Sequence, residues 1–203
     1  MGRTSDARNK ILEAARTLFE QRGYSALGVA EICAAAGVPK GSFYYFFESK
    51  QALALTVIDD HWAAQRAQWE AVLRADGDPL ERLRDLFAAT EDVQQSAKRD
   101  SGRVVGCLFG NLALEVSNQA EEIRARLQEI FDAQIDLIEQ VVLEAKERGE
   151  AGADVDARDA ARSIVAQIEG RVLLAKLLND PAQLDTLWRN ALDLLQARSP
   201  AAR

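Results

Sequence analysis

The chain has 203 residues, 48% of them hydrophobic and 28% charged, with four prolines. That is length for one ordinary domain or two small ones, and a composition far from that of disordered chains. No apolar run approaches the ~20 residues of a spanning helix. The opening MGRTSDARNK carries charge without an apolar stretch behind it, so neither membrane association nor a secretory signal is expected and the protein is placed in the cytoplasm. Two cysteines, Cys33 and Cys107, and one histidine, His61, are too few for a disulfide framework or a zinc site, and no cofactor or metal is expected. The net charge of −7 is uneven: the first 50 residues hold a slight excess of Lys and Arg, and the rest is acidic. An acidic protein binds nucleic acid where its local field is positive, although so small an excess also arises by chance.

The hydrophobic period is helical almost throughout. Ile11, Leu12, Ala15, Leu18 and Phe19 form one stripe of a helix over residues 6–21 that Gly23 stops. A short helix follows over residues 29–36, with Val29, Ile32 and Cys33 as its apolar face, and a second short one lies between Pro39 and Phe47. The next helix enters at Ser49 and runs to about Ala75, joining the N-terminal and C-terminal parts mechanically. Turn signals at Asp76–Pro79, Asp100–Gly102, Gly149–Asp154 and Asn179–Pro181 divide the remainder into longer helices, among them residues 102–117, 122–146 and 161–178. Alternating β-branched segments are missing, so the expectation is an all-α chain of about nine helices, with residues 1–50 forming one domain and 51–203 another.

The segment AAAGVPKGSFYYFFESK, Ala34 to Lys50, concentrates aromatics in a chain only 6% aromatic. Helix, glycine turn and helix at this length is the helix-turn-helix pattern, whose second helix enters a major groove. On that helix Gly41 allows close backbone approach and Lys40, Ser42, Tyr44 and Tyr45 supply donors, while Phe43 and Phe47, four apart, anchor it inward. Ser49 is placed to cap the following helix, and Lys50 in its first turn suits a DNA phosphate. Spacing alone leaves open a plain αα corner with an aromatic core.

Gly23 to Leu53, GYSALGVAEICAAAGVPKGSFYYFFESKQAL, closely resembles the N-terminal region of TetR-family transcriptional regulators. The resemblance implies an all-α homodimer in which three N-terminal helices read a palindromic operator and six more form a ligand-binding and dimerisation domain. It implies base or backbone contacts from Lys40, Ser42 and Tyr45 and phosphate contacts from Tyr44 and Lys50. The sequence departs from the family at Leu27 and Gly28, where a capping Thr or Ser is common, and at Phe46, where a Tyr or His is usual.

Farther on, Cys107, Asn111 and Glu115 recur every fourth residue in the apolar GRVVGCLFGNLALEVS, and Glu169 and Lys176, seven apart, interrupt ARSIVAQIEGRVLLAKLL. Buried without partners such groups are costly, so they meet each other, a ligand or water. Cys107 reads either as a small hydrophobe or as a sensor. GCLFGN and EGRVLLAK resemble a TetR branch containing regulators of the N-ethylmaleimide and acrylate type, which implies a small-molecule or electrophilic effector with Cys107 at the pocket as the sensing thiol. Trp62, with His61 and Trp69, is a further candidate for lining that pocket, while Cys33 reads as core. In the family the last two helices, here with Ile164, Val165, Ile168, Val172, Leu184, Leu187, Trp188, Ala191 and Leu195, form the dimer interface. The reading is therefore a ligand-responsive repressor and not an enzyme. A thiol-dependent helical enzyme using Cys107 is the alternative, and it lacks an evident general base.

Overall fold

The computed structural model describes residues 2–197, with side chains described from Asp6 on. These residues form nine α-helices and one 3-10 turn, and no strand: α1 (Gly2–Arg22), α2 (Val29–Ala35), α3 (Lys40–Phe46), α4 (Lys50–Leu73), α5 (Pro79–Ser101), α6 (Leu108–Val116), α7 (Glu121–Glu147), α8 (Ala157–Leu178), the turn Pro181–Leu184, and α9 (Leu187–Leu194). None of the described helices is long and apolar enough to cross a membrane. The all-α expectation holds because the 3.6-residue period and its punctuation are local properties. Gly37, at φ 65°, closes α2 in the left-handed region, and Pro39 precedes the first residue of α3.

Two compact units are present. One runs to Ala64 and takes in Cys107–Glu129; the other takes in Gln65–Gly106 and the chain from Ile130 on. In the first, α1 packs on α2, α3 and α6. Ile11, Ala15 and Phe19 of α1 are fully buried or nearly so, as are Ile32 and Cys33 of α2, Phe43 of α3, Leu53 and Ile58 of α4 and Phe109 of α6. Cys33 is core, and burial, opposed more weakly by Lys40, pushes its thiol up, away from reactivity.

In the second unit α8 packs on the 3-10 turn and α9, which also meet α5. Asp78 caps α5, accepting from the amides of Leu80 and Glu81, and Asp156 caps α8 through Asp159 N. Two expectations are corrected here. Residues 102–107 are not helical: Gln94, itself buried, bonds both the N–H and the C=O of Gly106, and Asn179 bonds Val104 N and Gly102 O. With its backbone satisfied by side chains, this stretch has no need of a helix. The second correction concerns the apolar residues assigned to a dimer interface. Ile164, Val165, Ile168, Val172, Leu184, Leu187, Ala191 and Leu195 are buried inside the chain itself, and Trp188 is half-buried. The apolar groups that α8 leaves exposed are Leu173, Leu174, Leu177 and Leu178.

Candidate nucleic-acid interface

The two rings that anchor α3 and the two it displays are separated by helical geometry alone. Phe43 and Phe47 are 0% and 4% exposed with ring centroids 5.7 Å apart, and the Arg8 guanidinium lies 5.6 Å from the Phe47 ring. Tyr44 and Tyr45 are 59% and 75% exposed. Two large amphipathic rings thus face water on one seven-residue helix, with a hydroxyl at each tip able to donate or accept. Lys40 and Gly41 are exposed and Ser42 half-buried on the same helix, and a methyl built at Gly41 would meet nothing in the protein. Phe46 is half-buried, its ring edge-on to Tyr45 at 4.9 Å. The start of α2 has no side-chain cap, as the Leu27–Gly28 pair foretells.

Ser49 caps α4 as expected, its Oγ accepting from Ala52 N at 3.0 Å. Lys50, anticipated against a DNA phosphate, also has partners within the chain. Its Nζ donates to the carbonyls of Tyr24 at 3.1 Å and Leu27 at 2.9 Å and lies 4.1 Å from the centre of the Tyr24 ring. Two of the three ammonium protons are thus committed inside the protein. Desolvation lowers the Lys50 pKa, opposed by the charge of Glu115.

Glu115, anticipated near a ligand, also faces the N-terminal helices. Its two carboxylate oxygens accept from consecutive backbone amides, Tyr24 N at 2.8 Å and Ser25 N at 2.6 Å. Desolvation would raise its pKa, but these amide bonds and the nearby Lys50 outweigh it and hold the carboxyl below its ordinary value. Tyr24, whose ring lies 5.6 Å from that of Phe19 at a tilt of 58° and sits under Lys50, is a residue that sequence reasoning missed; a lone tyrosine after a glycine carries no local signal of such a role.

The remaining sensor candidates divide between the units. Cys107 is half-buried and not disulfide-bonded, and it forms the N-cap of α6, its Sγ accepting from Gly110 N at 3.5 Å. Asn111, half-buried, lies one turn on. Trp62 is buried with its ring 6.2 Å from that of Phe109, and His61 is edge-on to the same ring at 5.2 Å. These belong to the first unit. Glu169 and Lys176, both half-buried on α8, and Trp69 belong to the second.

Two family models match the chain: residues 11–57 match "Bacterial regulatory proteins, tetR family" and residues 79–191 match "Tetracyclin repressor-like, C-terminal domain". The chain is 32% identical over 186 residues to the transcriptional repressor DhaR of Mycobacterium sp. strain GP1, covering 91% of this chain and 89% of that one. It is 35% identical over 185 residues to the transcriptional regulator AcuR of Cereibacter sphaeroides, covering 90% and 82%. The crystal structure of Escherichia coli NemR in its reduced form superposes with a TM-score of 0.81 at 25% identity, over 95% of this chain and 100% of that one.

Proposed function

Since the chain belongs to the tetR family of bacterial regulatory proteins, and is a ligand-responsive DNA-binding transcriptional regulator, we propose that it represses by holding a palindromic operator through α3 and lets go when an effector is sensed near Cys107. The observation that carries the DNA contact is the display of Tyr44 and Tyr45 on a helix anchored by Phe43 and Phe47. Lys40, Gly41, Ser42 and Tyr45 meet bases or backbone in the major groove, and Tyr44 meets phosphate. In this reading residues 1–50 are the DNA-binding domain and 51–203 the ligand-binding and dimerisation domain. A two-fold dimer matches a palindromic site, with reading helices about 34 Å apart. The exposed leucines at 173, 174, 177 and 178 supply apolar surface for the second copy.

The effector in this proposal is an electrophile or an acrylate-like acid. The GCLFGN and EGRVLLAK motifs support it, as does the likeness to NemR, solved in a form specified as reduced. With N-ethylmaleimide, the Cys107 sulfur bonds to one alkene carbon, the C=C π bond opens, and a proton ends on the other carbon. The new C–S bond occupies a sulfur that now accepts from Gly110 N, weakening the cap of α6. A carboxylate effector pairs instead with Lys176.

The test is a titration of the DNA flanking the gene, with and without N-ethylmaleimide and acrylate, for wild type and Cys107→Ser. Tight binding released by N-ethylmaleimide only when Cys107 is present supports the proposal; release of both proteins alike, or of neither, removes the thiol from it.

A further inference from the structure

We propose that Glu115 is a positioning residue for operator binding: from α6 it grips the connection between α1 and α2, and so holds α2 and α3 in the arrangement that presents the tyrosines to DNA. This rests on the reading of α3 as the operator-contacting helix.

The connection, Gly23 to Gly28, is held from both sides of its backbone. On the N–H side the Glu115 carboxylate takes the amides of Tyr24 and Ser25, one per oxygen. On the C=O side Lys50 takes the carbonyls of Tyr24 and Leu27. Inside the segment a single turn bond, Leu27 N to Tyr24 O at 3.3 Å, closes the loop, and Gly23 N bonds Phe19 O at 3.0 Å at the end of α1. The backbone orientation of this connection is therefore set by two opposite charges, one from α6 and one from α4, more than by its own bonds. Charge-assisted bonds of this kind are about twice as strong as neutral ones.

Gly23 shows how closely the carboxylate approaches. A Cβ at residue 23 would stand 2.8 Å from one Glu115 oxygen and 3.0 Å from the other, and the residue is left-handed at φ 80°. Glycine is demanded there twice, by the turn and by the grip. Glu115 sits at the last full turn of α6, whose first residue follows the Cys107 cap; at 1.5 Å per residue the backbone positions of the two residues are about 12 Å apart along the helix axis. This carboxylate, on an apolar helix, is spent on backbone amides 90 residues away in sequence.

The experiment uses the full chain and its Glu115→Gln variant, which keeps the size but offers one acceptor in place of two and turns an NH2 toward an amide. Amide exchange at Tyr24 and Ser25, operator affinity as a function of salt, and thermal unfolding are measured together. Faster exchange confined to residues 23–28, with operator affinity lowered about tenfold at an unchanged salt slope, is the expected result, because a head that is competent only a tenth of the time binds about tenfold more weakly. Should the variant unfold, Glu115→Asp, which keeps the charge on a shorter stem, is measured the same way and is expected to lie between the two. Faster exchange with unchanged affinity, or affinity that falls only in step with global unfolding, overturns the proposal. A wild type that binds none of the flanking DNA overturns instead the assignment of α3, since the grip is then read by exchange alone.

Discussion

Replacing Lys50 with methionine separates two roles that the residue cannot both hold with the same protons. The side chain keeps its length and apolar stem but loses the ammonium that donates at 3.1 Å and 2.9 Å to the Tyr24 and Leu27 carbonyls. A bond from a charged donor contributes about 1.5–3 kcal/mol, and at a half-buried site the lower end applies. The contact with the Tyr24 ring adds about 0.5–1 kcal/mol. Against this the unfolded chain no longer has a lysine to hydrate, and Tyr24 O keeps its bond from Leu27 N. A net loss of about 2 kcal/mol is expected, a fall in Tm of roughly 4–8 °C for a chain of this size. Operator affinity, measured by fluorescence anisotropy across a salt series, should drop while the slope of log K against log salt stays constant, because no phosphate contact has been removed. If instead Tm is unchanged and the slope shrinks by about 0.9, the value for one lost phosphate contact, Lys50 is a DNA ligand and the internal strut is wrong.

Other substitutions separate scaffold from surface. Phe43→Ala empties a fully buried site and should cost about 3–5 kcal/mol in denaturant unfolding, whereas Tyr45→Ala, at a ring 75% exposed, should leave unfolding unchanged and still weaken operator binding; equal loss of stability in both would show that Tyr45 is part of the packing. Leu177→Glu, on the exposed face of α8, should shift sedimentation toward monomer and abolish tight binding to a two-half-site operator, and a variant that stays dimeric would place the interface elsewhere. His61 has its pKa lowered from 6.5, first by burial and then by the charge of Arg16. Above pH 6.5 its neutral form is common to both states; as pH falls below that value the unfolded chain takes up a proton that the folded chain refuses, so stability declines toward the lowered folded pKa. Urea unfolding across this range should show the decline in wild type and a flatter profile in His61→Gln; parallel profiles would assign it to other groups.

Much of the reading head was legible without coordinates, because its determinants are local. The 3.6-residue period sends Phe43 and Phe47 inward and leaves Tyr44 and Tyr45 on the other side, the glycine at 37 ends one helix, and Ser49 caps another through its own third neighbour. Burial of Cys33 followed from the same stripe. The sensor side was less legible. Regular spacing of Cys107, Asn111 and Glu115 suggested one continuous helical face, but Gln94 and Asn179 satisfy the backbone of the preceding loop, so the helix starts after Cys107 and the thiol becomes its cap.

By itself the sequence determined the helices, the helix-turn-helix and the family, and the ends of those helices that a local glycine or cap closes, since period, capping and motif are encoded within a few neighbouring residues. Only the tertiary structure decided where the charges go. Glu115 and Lys50 are ordinary ionic residues at their own positions in the chain. Their roles arise because folding brings α6 and α4 against opposite sides of one short connection, where unpaired amides and carbonyls need partners and no side chain within the connection supplies them. The apolar residues of α8 follow the same rule: all are hydrophobic in the sequence, and packing against α9 and the 3-10 turn selects which are consumed as core and which, from Leu173 to Leu178, remain exposed.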